Sequence, residues 1–499
     1  MVMHMFNMFR KQKHQKPKLV ETIVTAFQKM GDFLYYLNDQ AIQPYWICYQ
    51  TTLVDSKIIH EFVLPSLNKH SFENIEDIKK AVPIEDIILS KDIEEIKSKV
   101  ISGYIMVQFH KHDQSCALIR AALNENRSIS VPEVEFSVVG PKEAFVESLD
   151  TNLNLIRKRL PIIDLKVKEV TVGELSKTRI SVLYIEGITD KTNVRTVLQR
   201  LKDIEFDQLV DSSFVAQMIA DNQKSPFPQL LDTERPDRVA SVLSEGKVVI
   251  LVDGSPHALI GPTTIIEFFS SFEDYFLNWY VATFLRLLRF FSVTFSILVT
   301  PLYVAVLTFH YELIPRELMG TLITSRRVVP LPPILEAVFL ELTIELLREA
   351  GARLPTKVGQ TIGIVGGIVI GTAAVEAGLT SNVLLIIVAL AALASFTTPV
   401  YNMGNTIRIL RFPFLLFAQL WGLLGVVYCF CILLTHLIRL TSLGRPILEP
   451  IYPLRLNDLK DGLVRLPFSK LAKRPQYLRS QQPERFNRKN AQMNKDIDE

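Results

Sequence analysis

The sequence predicts an α+β soluble N-terminal region of two α/β subdomains, followed by an all-α transmembrane domain. Three observations carry that division. Hydrophobic residues make up 48% of the 499, yet charged residues thin out between Phe290 and Ile438. Before Phe290, β-branched runs alternate with stretches of helical spacing. Within the apolar part, Gly359, Gly363, Gly367 and Gly371 recur every four residues in a segment, Val358 to Val375, that carries no charge. Glycine is a poor helix former in water. In lipid the backbone must satisfy its own hydrogen bonds, so such a helix forms there and its bare face lets another backbone approach. The expected units are a basic leader (1–20), soluble subdomains 21–131 and 132–285, a helical membrane domain 286–440 and a basic cytosolic tail 441–499.

In chain order, the leader places Arg10, Lys11 and Lys13 after its apolar residues instead of before them. That is not the pattern of a secretory signal, so the soluble region is expected in the cytosol. Residues 74–100 show helical spacing of Ile, interrupted by Pro83. Gly103–Phe109 and Ser115–Ala121 read as two strands joined by the polar turn His110–Gln114. In the second subdomain Phe145–Arg159 reads as a helix ending in a basic cluster before Pro161. Lys166–Val172, Arg179–Glu186 and Lys247–Asp253 read as strands, with a helix carrying Val194, Val197, Leu198 and Leu201 among them.

The same residues exclude several classes. There is no GxGxxG after a strand, no P-loop and no HExxH. The four cysteines show no metal or redox spacing, and a net charge of +3 gives no argument for nucleic acid. The chain is expected to be no enzyme and to carry no cofactor, metal or catalytic residue.

Phe290–Phe309 has the length of a membrane crossing, kinked at Pro301. A further helix is expected over Asn382–Ser395, and Phe412–Ile438 reads as the last and longest span. Pro333–Glu349 is apolar but holds Glu336, Glu341, Glu345 and Arg348. The last three share one helical arc, so the two carboxylates are expected to share the guanidinium. Two readings stand for this helix: an amphipathic element on the membrane surface or a subunit seam, and an ion-pathway or gating element. Taking it as non-spanning gives four crossings with both termini cytosolic, and leaves Arg408 and Arg411 in an outer loop. The tail beyond Leu471 reads as unstructured or lying on anionic lipid.

Opposite the glycines, Thr361, Val365, Ile368, Thr372 and Glu376 fall on one arc. Around an axis, copies of this stripe would line a pore with hydroxyls, a Val/Ile constriction and an acidic ring. The simpler reading is packing against two neighbours with no pore.

The run LLREAGARLPTKVGQTIGIVGGIVIGTAAVEAGL (Leu346–Leu379) resembles the signature of the GerA-type spore germination receptor A subunits. SPFPQLLDTERPDRVASVL (Ser225–Leu243), VVILVDGSPHALIGP (Val248–Pro262) and RPILEPIYPLRLNDLKDGLVRLP (Arg445–Pro467) resemble the same family in unbroken order. The resemblance implies a multi-pass subunit of the spore inner membrane. It also implies a transporter-like B subunit that senses the nutrient, a lipoprotein C subunit, and homo-oligomers forming a nutrient-gated cation channel that triggers germination. The competing classes are a secondary transporter or permease component, and a membrane-anchored scaffold of the receptor complex.

Overall fold

A computed structural model describes residues 17–28, 30–109, 115–122, 132, 135, 137–354, 367 and 369–486. The soluble region is built from two five-stranded antiparallel sheets. The first takes α1 (Lys18–Phe27), β1 (Phe33–Asn38), β2 (Tyr45–Gln50), β3 (Ile87–Ser90), α2 (Ile93–Ile101), β4 (Tyr104–Phe109) and β5 (Cys116–Arg120), with strand order β1-β2-β4-β5-β3. The second takes α3 (Leu149–Arg159), β6 (Leu165–Val172), β7 (Thr178–Ile185), α4 (Lys191–Lys202), α5 (Ser212–Met218), β8 (Leu231–Thr233), α6 (Pro236–Glu245), β9 (Val248–Val252) and β10 (Ala258–Gly261). Its order is β6-β7-β9-β10-β8. The second order repeats the first, with helical turns between residues 56 and 81 standing where α4 and α5 stand. The soluble region is therefore a structural duplication.

Strand alternation builds a core on each face of each sheet. In the first sheet Ile47, Val107 and Ile119 face the helical turns, while their neighbours Cys48, Met106 and Leu118 face α1 and α2. In the second, Leu183, Val249 and Leu251 meet α3 and α6, while Val182, Ile250 and Val252 meet α4 and α5. Side chains at Asp92, Ser148, Asp190 and Asp211 cap α2, α3, α4 and α5 by accepting from backbone N–H groups. The halves are locked together by Arg157, whose Nη2 donates to Asp32 Oδ1 at 2.7 Å with both side chains 1% exposed. Asn154 adds a bond to the Thr52 carbonyl at 2.8 Å.

The helical part comprises α7 (Trp279–Phe309), α8 (Arg316–Arg326), α9 (Pro333–Ala352), α10 (Asn382–Ser395) and α11 (Tyr401–Arg439). Among the described residues two helices, α7 and α11, are long and apolar enough to cross a membrane, and α10 is a shorter apolar helix. The helix expected at 382–395 is found at those bounds. The expected single last span is not. α11 breaks at Trp421 and Gly422, where Gly422 takes φ 57°, ψ −136°, a conformation open to glycine. The chain folds back so tightly that a Cβ at Gly425 would overlap the Phe417 carbonyl. Both ends of α11 return to one soluble loop, Thr406 donating to Pro226 O and His436 bonding Ser225 Oγ at 2.8 Å. α11 is a helical hairpin, its break hidden in the sequence by apolar residues on both sides.

Residues 441–486 also differ from expectation, because the part beyond Leu471 is packed instead of unstructured. Ser442 and Arg445 bond Gln229 O and Asp190. Tyr477 donates to Glu267 at 2.6 Å, Arg474 to Ser244 O at 2.8 Å, and Arg485 pairs with Glu245 at 2.9 Å. This strap reaches the base of α7. There Asp274 takes Arg286 Nε at 3.0 Å and Arg289, while Asp461 accepts from Tyr275 Oη at 3.1 Å and lies 3.7 Å from Arg286.

Burial pushes the Asp461 carboxyl up to about 6, with Arg286 pulling it down. Its folded value lies above the unfolded one, so the native state holds this proton more tightly. Stability contributed here is present at low pH and falls as pH rises from about 4 through 6. Asp461→Asn should remove that slope, checked by thermal unfolding between pH 4.5 and 7.5. An unchanged slope in the variant would count against it.

Candidate functional site

A carboxylate at the centre of a helical bundle stays ionised only if a cation and hydrogen bonds replace water. α9 supplies two such groups. It starts at Pro333, its first helical residue, and turns Glu336, Ala337, Leu340 and Glu341 inward. Leu340 and Ala337 pack with Val304 of α7, Leu384 and Val388 of α10 and Leu415 of α11. Glu336 is fully buried and Glu341 is 2% exposed, so both need partners from elsewhere in the bundle.

Arg411 answers Glu341. Its guanidinium, on an arginine 1% exposed, donates from Nη1 to Glu341 Oε2 at 2.9 Å and from Nη2 to the Ala391 carbonyl at 3.0 Å and Ser296 Oγ at 2.5 Å. Thr300 Oγ1 donates to the other Glu341 oxygen at 3.1 Å. One arginine of α11 thus touches α7, α9 and α10 at once. Planarity makes this possible, because the fork aims several donors in fixed directions. Glu336 is met at its own level by Arg326 at 2.8 Å and by the Ser381 backbone N–H at 3.1 Å.

The expected sharing of Arg348 between two carboxylates is corrected. Glu345 pairs with both Arg348 and Arg408 at 3.3 Å, whereas Glu341 turns to Arg411. Arg348 also donates to Ser395 Oγ at 3.3 Å and covers the Phe396 ring at 4.3 Å. α9 therefore packs one face, with Glu336, Ala337, Leu340 and Glu341, against α7, α10 and α11, and leaves Leu335, Leu342 and Leu346 exposed on the other. Arg411 is no loop residue: it is a buried residue within α11. Ser296, Thr300, Arg326, Ser381 and Arg411 were missed. The available signal was Arg411 itself, a charge in an apolar helix with no carboxylate three or four residues away.

The two ends of α9 sit at opposite ends of the bundle. Arg348 is level with Ser395 and Arg408, close to the soluble region, while Glu336 is level with Ser381 and Arg326 at the far end. The chain thus leaves α9 near the soluble region and enters α10 from the far side. Of the glycine segment, Gly359, Thr361, Gly363, Val365 and Ile368 lie outside the described residues. Residues 369–376 are helical. Gly371 and Ala374 are its buried positions, and a Cβ on Gly371 would lie 3.7 Å from Leu385 of α10. Gly367, Thr372 and Glu376 are exposed, and the Thr372 hydroxyl bonds Val369 O at 3.3 Å. Among the described residues no group of three or more His, Cys, Asp or Glu is placed to hold a metal ion.

A family model described as Bacillus/Clostridium GerA spore germination protein matches residues 21–477. The chain belongs to that family. It is 50% identical to spore germination protein GerQA of Bacillus cereus over 478 residues, 96% of each chain. It is 46% identical to spore germination protein GerIA of Bacillus cereus over 474 residues, 95% of this chain and 71% of that one. The N-terminal domain of the A subunit of the Bacillus megaterium spore germinant receptor GerK3 is 26% identical, with a TM-score of 0.37. The match covers 48% of this chain and 92% of that one.

In this GerA-family chain, Ser296→Ala removes a bond to a charged group and should cost about 1.5–3 kcal/mol. Arg411→Lys keeps the charge but loses the fork, and should lower the thermal midpoint at least as much. Unfolding of the detergent-solubilised protein, followed by tryptophan fluorescence, measures both.

Proposed function

We propose that the chain is the A subunit of a spore germinant receptor, embedded in the spore inner membrane by its helical part, whose copies assemble into a nutrient-gated cation channel. The observation that carries this reading is the path of the chain around the glycine segment. It departs near the soluble region and returns from the far side, so the described ends of this segment lie at opposite ends of the bundle. α9 and α10, the helices before and after it in the chain, are pinned to each other at both ends, by Glu336 with Ser381 and by Arg348 with Ser395.

The outward groups on 369–376 support the same reading. Gly371 packs toward Leu385 of α10 and Ala374 is buried, whereas Thr372 and Glu376 are left exposed. A carboxylate facing hydrocarbon costs several kcal/mol, so this side belongs against water or another copy. Copies around an axis give it both. Thr361, Val365, Ile368, Thr372 and Glu376 would then line the pathway, with Val365 and Ile368 as the constriction. Gly359, Gly363, Gly367 and Gly371 would be its packing face. A transporter-like B subunit would bind the nutrient, with a lipoprotein C subunit completing the receptor. Binding on B opens the ring only by the difference in its affinity for the two states.

The broken α11 gives the transporter class its one supporting feature, since such folds use discontinuous helices. The break, however, lies at the bundle's far end beside His310, where a Cβ on Gly422 would meet the imidazole.

Reconstitution of the full chain in liposomes separates the classes. A channel gives rapid cation leak, a transporter saturable uptake, and a scaffold no flux. Val365→Ala should raise the leak severalfold and Glu376→Gln should lower the preference for cations over anions. Unaltered flux in Val365→Ala and unaltered selectivity in Glu376→Gln would remove these residues from the pathway.

A further inference from the structure

The second arm of α11 carries a groove of about 550 Å³ on its outer side. Tyr428, Cys431, Ile432, Thr435, His436 and Arg439 line it at spacings of three and four, one continuous helical face, with Asn222 of the soluble region closing the lower end. The face changes character along its length. Tyr428 and Ile432 are 57% and 47% exposed and form an apolar upper wall. His436 and Arg439 form the lower end, His436 already held by Ser225.

Arg439 is the telling residue. Every other arginine of α11 is engaged, Arg408 by Glu345 and Arg411 by Glu341. Arg439 is exposed and has no hydrogen-bond or ion-pair partner among the described residues. Its height is fixed, because the next residue, Leu440, enters the core shared with Met403, Ile447 and the second sheet. From Tyr428 to Arg439 the helix rises about 16 Å. Half the hydrocarbon thickness of a bilayer is about 15 Å. The groove therefore has the length of one leaflet, apolar where acyl chain lies and cationic where phosphate lies.

We propose that this groove is a binding site for one anionic phospholipid of the leaflet adjoining the soluble region, its acyl chain against Tyr428 and Ile432 and its phosphate on Arg439. The assignment rests on the membrane reading of the helical part and not on conduction. The helix contributes no anion attraction of its own here, since its C-terminal end carries partial negative charge. Selectivity for a net negative lipid thus falls to the Arg439 guanidinium, whose stem can lie along the apolar wall. A zwitterionic lipid offers the same phosphate, but its headgroup ammonium is repelled by that guanidinium.

Cys431 makes the test direct. It is the exposed cysteine of the four, and Cys48, Cys116 and Cys429 are buried. The full chain in neutral detergent is titrated with phosphatidylglycerol or phosphatidylcholine, and alkylation of Cys431 by N-ethylmaleimide is timed. Phosphatidylglycerol should slow labelling about fivefold more than phosphatidylcholine, the gain of one basic side chain near an anionic surface. In Arg439→Gln that difference should vanish while the three buried thiols stay unreactive, showing an intact fold. Equal protection by both lipids in the unaltered protein, or full phosphatidylglycerol protection in Arg439→Gln, overturns the site. So does a photo-crosslinker at position 432 that captures protein instead of lipid. No step reads ion flux, so a chain that conducts nothing leaves the result standing.

Discussion

The helical part depends on a single buried ion pair. Glu341 and Arg411 are each about 2% exposed or less and meet at 2.9 Å, so removing either would leave the other's buried charge without its partner. Two hydroxyls and a backbone carbonyl add hydrogen bonds to the pair and replace part of the water it gave up, while Arg411 Nε has no partner among the described residues. The carbonyl matters as much as the charges. It draws in α10, which has no ionisable residue of its own. Register follows from this arrangement: sliding any of the four helices by one turn would leave a charge unmet in an apolar interior.

The same pair joins helices that leave the soluble region at separate points. α7 leaves the soluble region clamped by Asp274 and by the C-terminal strap, and carries Ser296 and Thr300 to the pair. α11 leaves beside Pro226 and carries Arg411. α9 receives both through Glu341. The soluble region suits the task of a firm base. Its two sheets repeat one topology and are joined through the buried Arg157–Asp32 pair, so the base moves as one piece or breaks a costly contact.

Much of the soluble fold was legible because its signals are local. The strands at 104–109, 116–120, 165–172 and 178–185 were readable from β-branched and alternating runs, as was the Leu149–Arg159 helix with its basic end. The strand Ile87–Ser90 was masked by the helical Ile spacing around it, and β1 and β2 by mixed composition. The duplication was invisible, since it resides in strand order and not in recurring residues. In the helical part, apolar runs marked the helices but not their partners. The α11 turn needs one conformation at Gly422, and nothing in the flanking residues announces it. Charges in α9 were read on their own helix because only neighbours three or four residues apart are visible in sequence. Their true partners come from residues 326, 381, 408 and 411, which only packing brings near.

The account turns on whether Glu341 and Arg411 act as one unit, and a double-mutant cycle on thermal or denaturant unfolding of the solubilised protein asks that directly. Glu341→Leu and Arg411→Leu should each cost about 3–5 kcal/mol, because each strands the other charge. The double variant should cost far less than their sum, leaving a coupling energy of a few kcal/mol. Costs that simply add would mean the two residues do not meet, and the bundle described above would be wrong at its centre.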